Sequence, residues 1–99
     1  PEVAGAMARL QLITGDLRGA EASLRRLETL APRSSDAEYL RGVLWHARGE
    51  RERAARHFRA SLDLWPHSPL AHEELAALAV ERAWEARQLG REGWASRHE

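Results

Sequence analysis

The five histidines, His46, His57, His67, His72 and His98, are the side chains best suited to hold a metal. A zinc site needs three or four ligands that converge within bonding distance. No two of these histidines stand four apart, and HEELA at 72–76 lacks the second histidine of H-E-x-x-H. That spacing suits surface or half-buried histidines, and no metal or cofactor is expected. Ser34, Ser35 and Ser68 are nucleophiles in principle. None sits in a G-x-S-x-G turn, and each stands where a helix start needs a cap. Gly15, Gly42 and Gly49 are isolated, so no glycine-rich phosphate loop can be read. No base–nucleophile arrangement is legible, and a non-enzymatic chain is expected.

The run ARGERERAARHFR at 47–59 carries Arg48, Arg51, Arg53, Arg56 and Arg59. Arginine pairs with phosphate, so nucleic acid is one reading. Glu50 and Glu52 dilute the charge, and no aromatic lies between the arginines to stack on a base. The mixed charge favours the solvated face of a helix. Of the four tryptophans, Trp45 is expected in the core and Trp65 at a helix end, covering the junction to the next helix. Trp84 and Trp94 lie further on, either packing the last helix down or marking an interaction surface.

Ninety-nine residues suffice for one domain with a modest core. Acids and bases number 15 each, so the formal net charge is zero, which argues against a nucleic-acid arm or a membrane-surface patch. Every base is arginine, which with the abundant alanine reads as a bacterial-like coding bias. Without cysteine there is no disulfide and no thiolate metal site. No stretch approaches the ~18 apolar residues of a membrane span, no signal peptide is visible, and a cytoplasmic location is favoured. The chain starts at Pro1 rather than methionine, as expected of a piece of something longer.

These residues sit on a repeating framework. Shifted by 34 positions the sequence meets itself: Leu10 meets Leu44, Gly15 Gly49, Asp16 Glu50 and Ala20 Ala54. Leu24 then meets Phe58, Leu30 Leu64, Pro32 Pro66 and Ser34 Ser68. Each unit reads as two helices. Val3, Met7 and Leu10 form the apolar spacing of the first, which Gly15 ends by tolerating the left-handed backbone. Leu17, Ala20, Leu24, Leu27 and Leu30 form one stripe of the second, which Pro32 stops. Ser34 or Ser35 caps the next helix, and Ser35 with Glu38 has capping-box spacing. In the second unit Ala37, Leu40, Leu44 and Ala47 precede the break at Gly49, and Ala54, Phe58 and Leu62 precede Pro66. Ser68 then caps, and Pro69 opens, a further helix. Ala83 stands where the first two units have glycine, so one helix is expected from about 69 to about 89, with a frayed tail to 99. It would show Arg82, Glu85, Arg87, Gln88 and Arg91 to water.

A 34-residue helix-turn-helix period resembles the tetratricopeptide repeat. Gly42 and Trp45 occupy the family's small-then-aromatic slots, Ala54 and Phe58 its A-x-x-x-F, and Pro66 its terminal proline. Ala8, Ala20, Leu24 and Pro32 take these slots in the first unit; the third offers Leu75 and Ala76. Glu38 and Arg41 depart from the apolar pair the family prefers, and Gln11 replaces an aromatic. The implied fold is all-α: a right-handed stack of antiparallel helix-turn-helix repeats, an α-solenoid of about two repeats plus a C-terminal capping helix. Its units are 1–34, 35–68 and 69–99, together one domain. Stacking would bury a continuous core that no single hairpin can bury.

The resemblance also implies a concave groove lined by the first helix of each hairpin, which takes a peptide or a partner helix. Carried over, the groove residues are Arg9, Leu12 and Ile13; Tyr39, Val43 and His46; and Glu73, Ala77 and Val80. The subclass that clamps a terminal carboxylate is not expected, because Gly5, Leu40, Leu70 and Glu74 stand where its basic and amide groups would be. The expected function is a non-catalytic module with a protein or peptide partner, without nucleic acid or membrane insertion. Two alternatives are a scaffold that self-associates into a homo-oligomer, through the last helix or the ends of the stack, and a regulatory appendage of a larger enzyme.

Overall fold

In a computed structural model the backbone of residues 2–98 and the side chains of residues 3–90 are described. Five helices follow one another: α1 (Glu2–Thr14), α2 (Leu17–Leu30), α3 (Ser35–Ala47), α4 (Arg51–Leu64) and α5 (Pro69–His98). No strand occurs among the described residues. Each helix packs on its neighbour in the chain, most extensively α3 on α4 and α1 on α2, and α1 also meets α3. The Cα body measures 57 × 29 × 16 Å. Its shortest dimension matches two layers of helices at the usual interaxial distance of about 8–10 Å.

The helix ends obey local chemistry. Gly15 and Gly49 hold φ of 85° and 81°, in the left-handed region that a β-carbon would disfavour. The Asp16 carboxylate caps α2 by accepting from the Gly19 N–H at 3.0 Å. Ser34 caps α3 by accepting from the Ala37 N–H at 3.3 Å, and Ser68 caps α5 by accepting from the Ala71 N–H at 3.4 Å. The capping box expected of Ser35 and Glu38 does not form. Ser35 is already the first residue of α3; its hydroxyl donates to the Ser61 carbonyl at 3.1 Å, and Glu38 accepts from the His57 ring at 2.8 Å.

The core has two parts. Ala4, Ala8, Ala20, Leu24, Leu27, Ala37, Leu40 and Leu44 join α1, α2 and α3. Ala54, Ala55, Phe58 and Leu78 join α4 to α5, with Tyr39, Val43, Trp45 and Leu75 packed against them. Leu24, Leu44 and Phe58 are fully buried. Each such side chain stabilises the fold by about 1.5–3 kcal/mol through the water it leaves.

Several expectations fail, most of them through the placement of neighbours. Val3, Met7 and Leu10 are exposed, Val3 by 82%. α1 buries Ala4 and Ala8 instead, because α2 and α3 lie on that side and no helix covers the other. Leu30 and Ala47, at helix ends, are exposed too. Trp65 does not seal the joint to α5, and half of its surface is in water. It is the C-terminal cap of α4, with its N–H bonded to the Ser61 carbonyl at 2.8 Å. Polar bonds close that joint: the Ser68 cap, and the His72 ring N–H donating to the Pro66 carbonyl at 2.9 Å. Trp45 is half-buried rather than core, its ring flanked by the Arg48 and Arg53 guanidiniums at 5.3 and 4.7 Å from the ring centre. Finally, α5 continues through Gly90 and Gly93 to His98, without a break near residue 89. A helical glycine costs about 1 kcal/mol relative to alanine, too little by itself to end a helix.

Candidate functional site

Helical spacing sets one row of side chains on α1 and one on α3, and the two rows meet in the structure. Arg9 and Leu12 are three apart on α1; Tyr39, Val43 and His46 step by four and three along α3. The structure brings Arg9, Leu12, Ile13, Tyr39 and Val43 together around an open cavity of about 300 Å³, also lined by Leu40 and Leu70. That is the lower end of the usual volume of ligand pockets, about 300–1,000 Å³. The floor is aliphatic with one aromatic ring. Tyr39 stacks at a tilt on Phe58, ring centres 5.7 Å apart, so the core holds it in place.

The four other expected groove residues lie outside this cavity. His46 is half-buried one turn beyond Val43 and engaged with α5: Nε2 lies 3.2 Å from the Glu81 carboxylate and Nδ1 4.0 Å from Glu74. Glu73, Ala77 and Val80 are exposed along α5. Leu40 and Leu70 also line the cavity; the sequence placed both at clamp positions that lack a basic or amide group, not among the groove residues. Glu74 and Glu81 were missed because only contact with His46 across α3 and α5 reveals them.

Charge is unevenly distributed around the cavity. Arg9 stands on the α1 side, its guanidinium 3.7 Å from Asp36. It also edges a second cavity of about 310 Å³, lined with Gly5, Ala6, Leu27, Ala31, Ser34 and Asp36. The α5 side carries Glu73, Glu74 and Glu81. Burial raises the Tyr39 pKa above the ordinary phenol value; Glu74 and then Glu73 add to the rise, and Arg9 opposes it.

Elsewhere the candidate chemistry is tied to the fold. Ser34 and Ser68 cap helices and Ser35 joins α3 to α4. In the arginine run, Arg48 pairs with Glu21 at 2.7 Å, Arg51 with Glu85, and Arg53 lies on Trp45, while Arg56 and Arg59 are exposed. Arg82 and Glu85 are exposed yet paired with Glu52 and Arg51 of α4. Arg87 is exposed and Gln88 half-buried. Trp84 keeps 59% of its surface in water, so it does not pack α5 down. Trp94, Arg91 and His98 fall outside the described side chains. No described helix is long and apolar enough to cross a membrane.

No family model, curated protein or solved structure matches the chain. The site must therefore be interpreted from its own geometry.

Proposed function

We propose that this chain is a non-catalytic interaction module of the tetratricopeptide type, a right-handed helical stack that binds a peptide or partner helix in the trough between α1, α3 and α5. The observation that carries this reading is the shared cavity of Arg9, Leu12, Ile13, Tyr39 and Val43, five residues drawn from two helices. Its aliphatic floor suits an apolar side chain of the partner, and its lining offers polar handles at Arg9 and Tyr39, with Glu73 exposed further along α5. Recognition of this kind sets an anchor side chain in a groove between rigid helices. Ile13→Glu and Arg9→Glu, at exposed positions of the cavity lining, are expected to weaken a captured partner while the helical content stays constant. Binding that survives both substitutions would sink the groove assignment.

A second reading, self-association, is favoured by the exposed apolar residues of α5, Val80, Trp84 and Leu89. Light scattering at rising concentration tests it, and a monomer that persists well above micromolar concentration excludes it.

A further inference from the structure

The charge around the trough selects among partners. Three carboxylates, Glu73, Glu74 and Glu81, follow one another along the α5 wall. Glu74 and Glu81 share His46 on α3, at 4.0 and 3.2 Å. Glu73 is exposed and makes no ion pair among the described residues. On the other wall the only guanidinium lining the cavity is that of Arg9, and it lies 3.7 Å from Asp36. The aliphatic cavity thus has a carboxylate-rich bank on α5 and a largely compensated bank on α1. Burial raises the Tyr39 pKa first, Glu74 and Glu73 raise it further and Arg9 opposes them, in keeping with carboxylates on the α5 side of the ring.

Resting on the groove reading above, we infer that the occupant is a basic amphipathic segment, with an aliphatic side chain in the Leu12–Ile13–Val43–Leu70 cavity and an Arg or Lys about one turn away that pairs with Glu73. Electrostatic complementarity of this kind sets the preference among partners, while the apolar anchor supplies most of the affinity. A charge this exposed acts modestly, by a factor of up to about five in affinity at low salt. Added salt screens the effect.

Three synthetic amphipathic helical peptides test this. All carry the same leucine stripe, and their flanking positions hold Lys, Gln or Glu. Affinities are measured by fluorescence anisotropy at low and high salt, and the site by amide and methyl shifts of Val43 and Leu70. The expected order is Lys over Gln over Glu, spanning about fivefold and narrowing with salt. Glu73→Lys should reverse the order. Asp63→Lys, an exposed change on α4 outside the trough, should leave it in place. Equal affinities, or a preference for the Glu peptide, with the Val43 and Leu70 shifts present would overturn the charge inference and leave the groove reading standing. A response to Asp63→Lys as large as to Glu73→Lys would also overturn it, because bulk charge would then account for the order. Absence of any shift at Val43 and Leu70 with all three peptides would overturn the groove reading as well.

Discussion

Gly42 of α3 lies directly against the ring of Phe58 of α4: a β-carbon on Gly42 would stand 2.5 Å from Phe58 Cε1 and 2.7 Å from Cδ1. Phe58 is fully buried, so its ring has no room to retreat. The contact between α3 and α4 is therefore built on a missing β-carbon, and Tyr39 of the trough stacks on that same Phe58 ring.

Gly42→Ala sets two effects against each other. Helix propensity favours alanine by about 1 kcal/mol, and overpacking a filled core costs about 1–3 kcal/mol. A net loss of about 1 kcal/mol is expected. Gly5→Ala is the control: the nearest atom to its added carbon is a Leu27 methyl at 3.9 Å, so only the propensity gain remains. Denaturant midpoints should move in opposite directions, and equal stabilisation by both would mean that α3 and α4 do not approach this closely.

Ser61 and Ser35 bind each other twice. The Ser61 hydroxyl donates to the Ser35 carbonyl at 2.9 Å, the Ser35 hydroxyl donates to the Ser61 carbonyl at 3.1 Å, and the two hydroxyl oxygens are 2.8 Å apart. Ser61 is fully buried, so Ser61→Ala is expected to cost about 1–2 kcal/mol. In a double-mutant cycle with Ser35→Ala the combined loss should fall short of the sum. Strict additivity would show that the pair is not coupled.

Glu21 is sensitive to acid. Its hydrogen bond from Arg48 holds its pKa below the ordinary glutamate value; burial opposes this, and the charges of Arg48, Arg25 and Arg41 add to the lowering. A carboxylate lowered in the folded state stabilises it above the unfolded value of about 4.3, and that contribution is lost as pH falls through the folded value. Arg48→Gln should return the Glu21 titration, followed by carboxyl NMR shifts, toward the ordinary range. An unchanged titration would contradict the contact.

Tyr39 reports the alkaline side and is the only tyrosine in the chain, so phenolate absorbance reads it alone. Its raised pKa means that its contribution to stability is present below the unfolded value of about 10 and is lost as pH rises through the folded value. Glu74→Gln should lower this titration and Arg9→Gln should raise it, because their charges act on it with opposite sign. Shifts in the same direction would place one of the two outside the trough.

Leu78 and Trp84 separate the docked part of α5 from its exposed part. Leu78 is buried against α4, and Leu78→Ala should cost about 2–3 kcal/mol. Trp84 faces water, and Trp84→Ala should change stability by less than about 0.5 kcal/mol. Thermal or denaturant unfolding measures both, and a large loss at Trp84 would mean that α5 is seated differently.

Local chemistry made much of this protein legible without coordinates. Glycines 15 and 49 end helices because only they take positive φ cheaply, and Ser34 and Ser68 cap helices because their hydroxyls reach backbone N–H groups three residues on. The 34-residue register placed the five helices and aligned Arg9 with Val43 and Ala77, and Leu12 with His46 and Val80. Such signals lie within a few residues or within one repeat, so one-dimensional periodicity carries them.

Contacts between helices were decided only in three dimensions. The spacing of Val3, Met7 and Leu10 equals that of a buried stripe, yet they are exposed, because periodicity describes one helix and burial requires a second. Trp65 and Trp84 look like core residues by size and stand in water for the same reason. The pairing of Glu74 and Glu81 with His46 joins residues 28 and 35 positions apart, which no local pattern connects. Sequence alone determined which segments are helical, where the first four of them stop and which rows of side chains recur. Tertiary packing decided which rows are covered, which form a cavity and which charges face it, since burial and Coulomb interaction depend on distance in space rather than on separation along the chain.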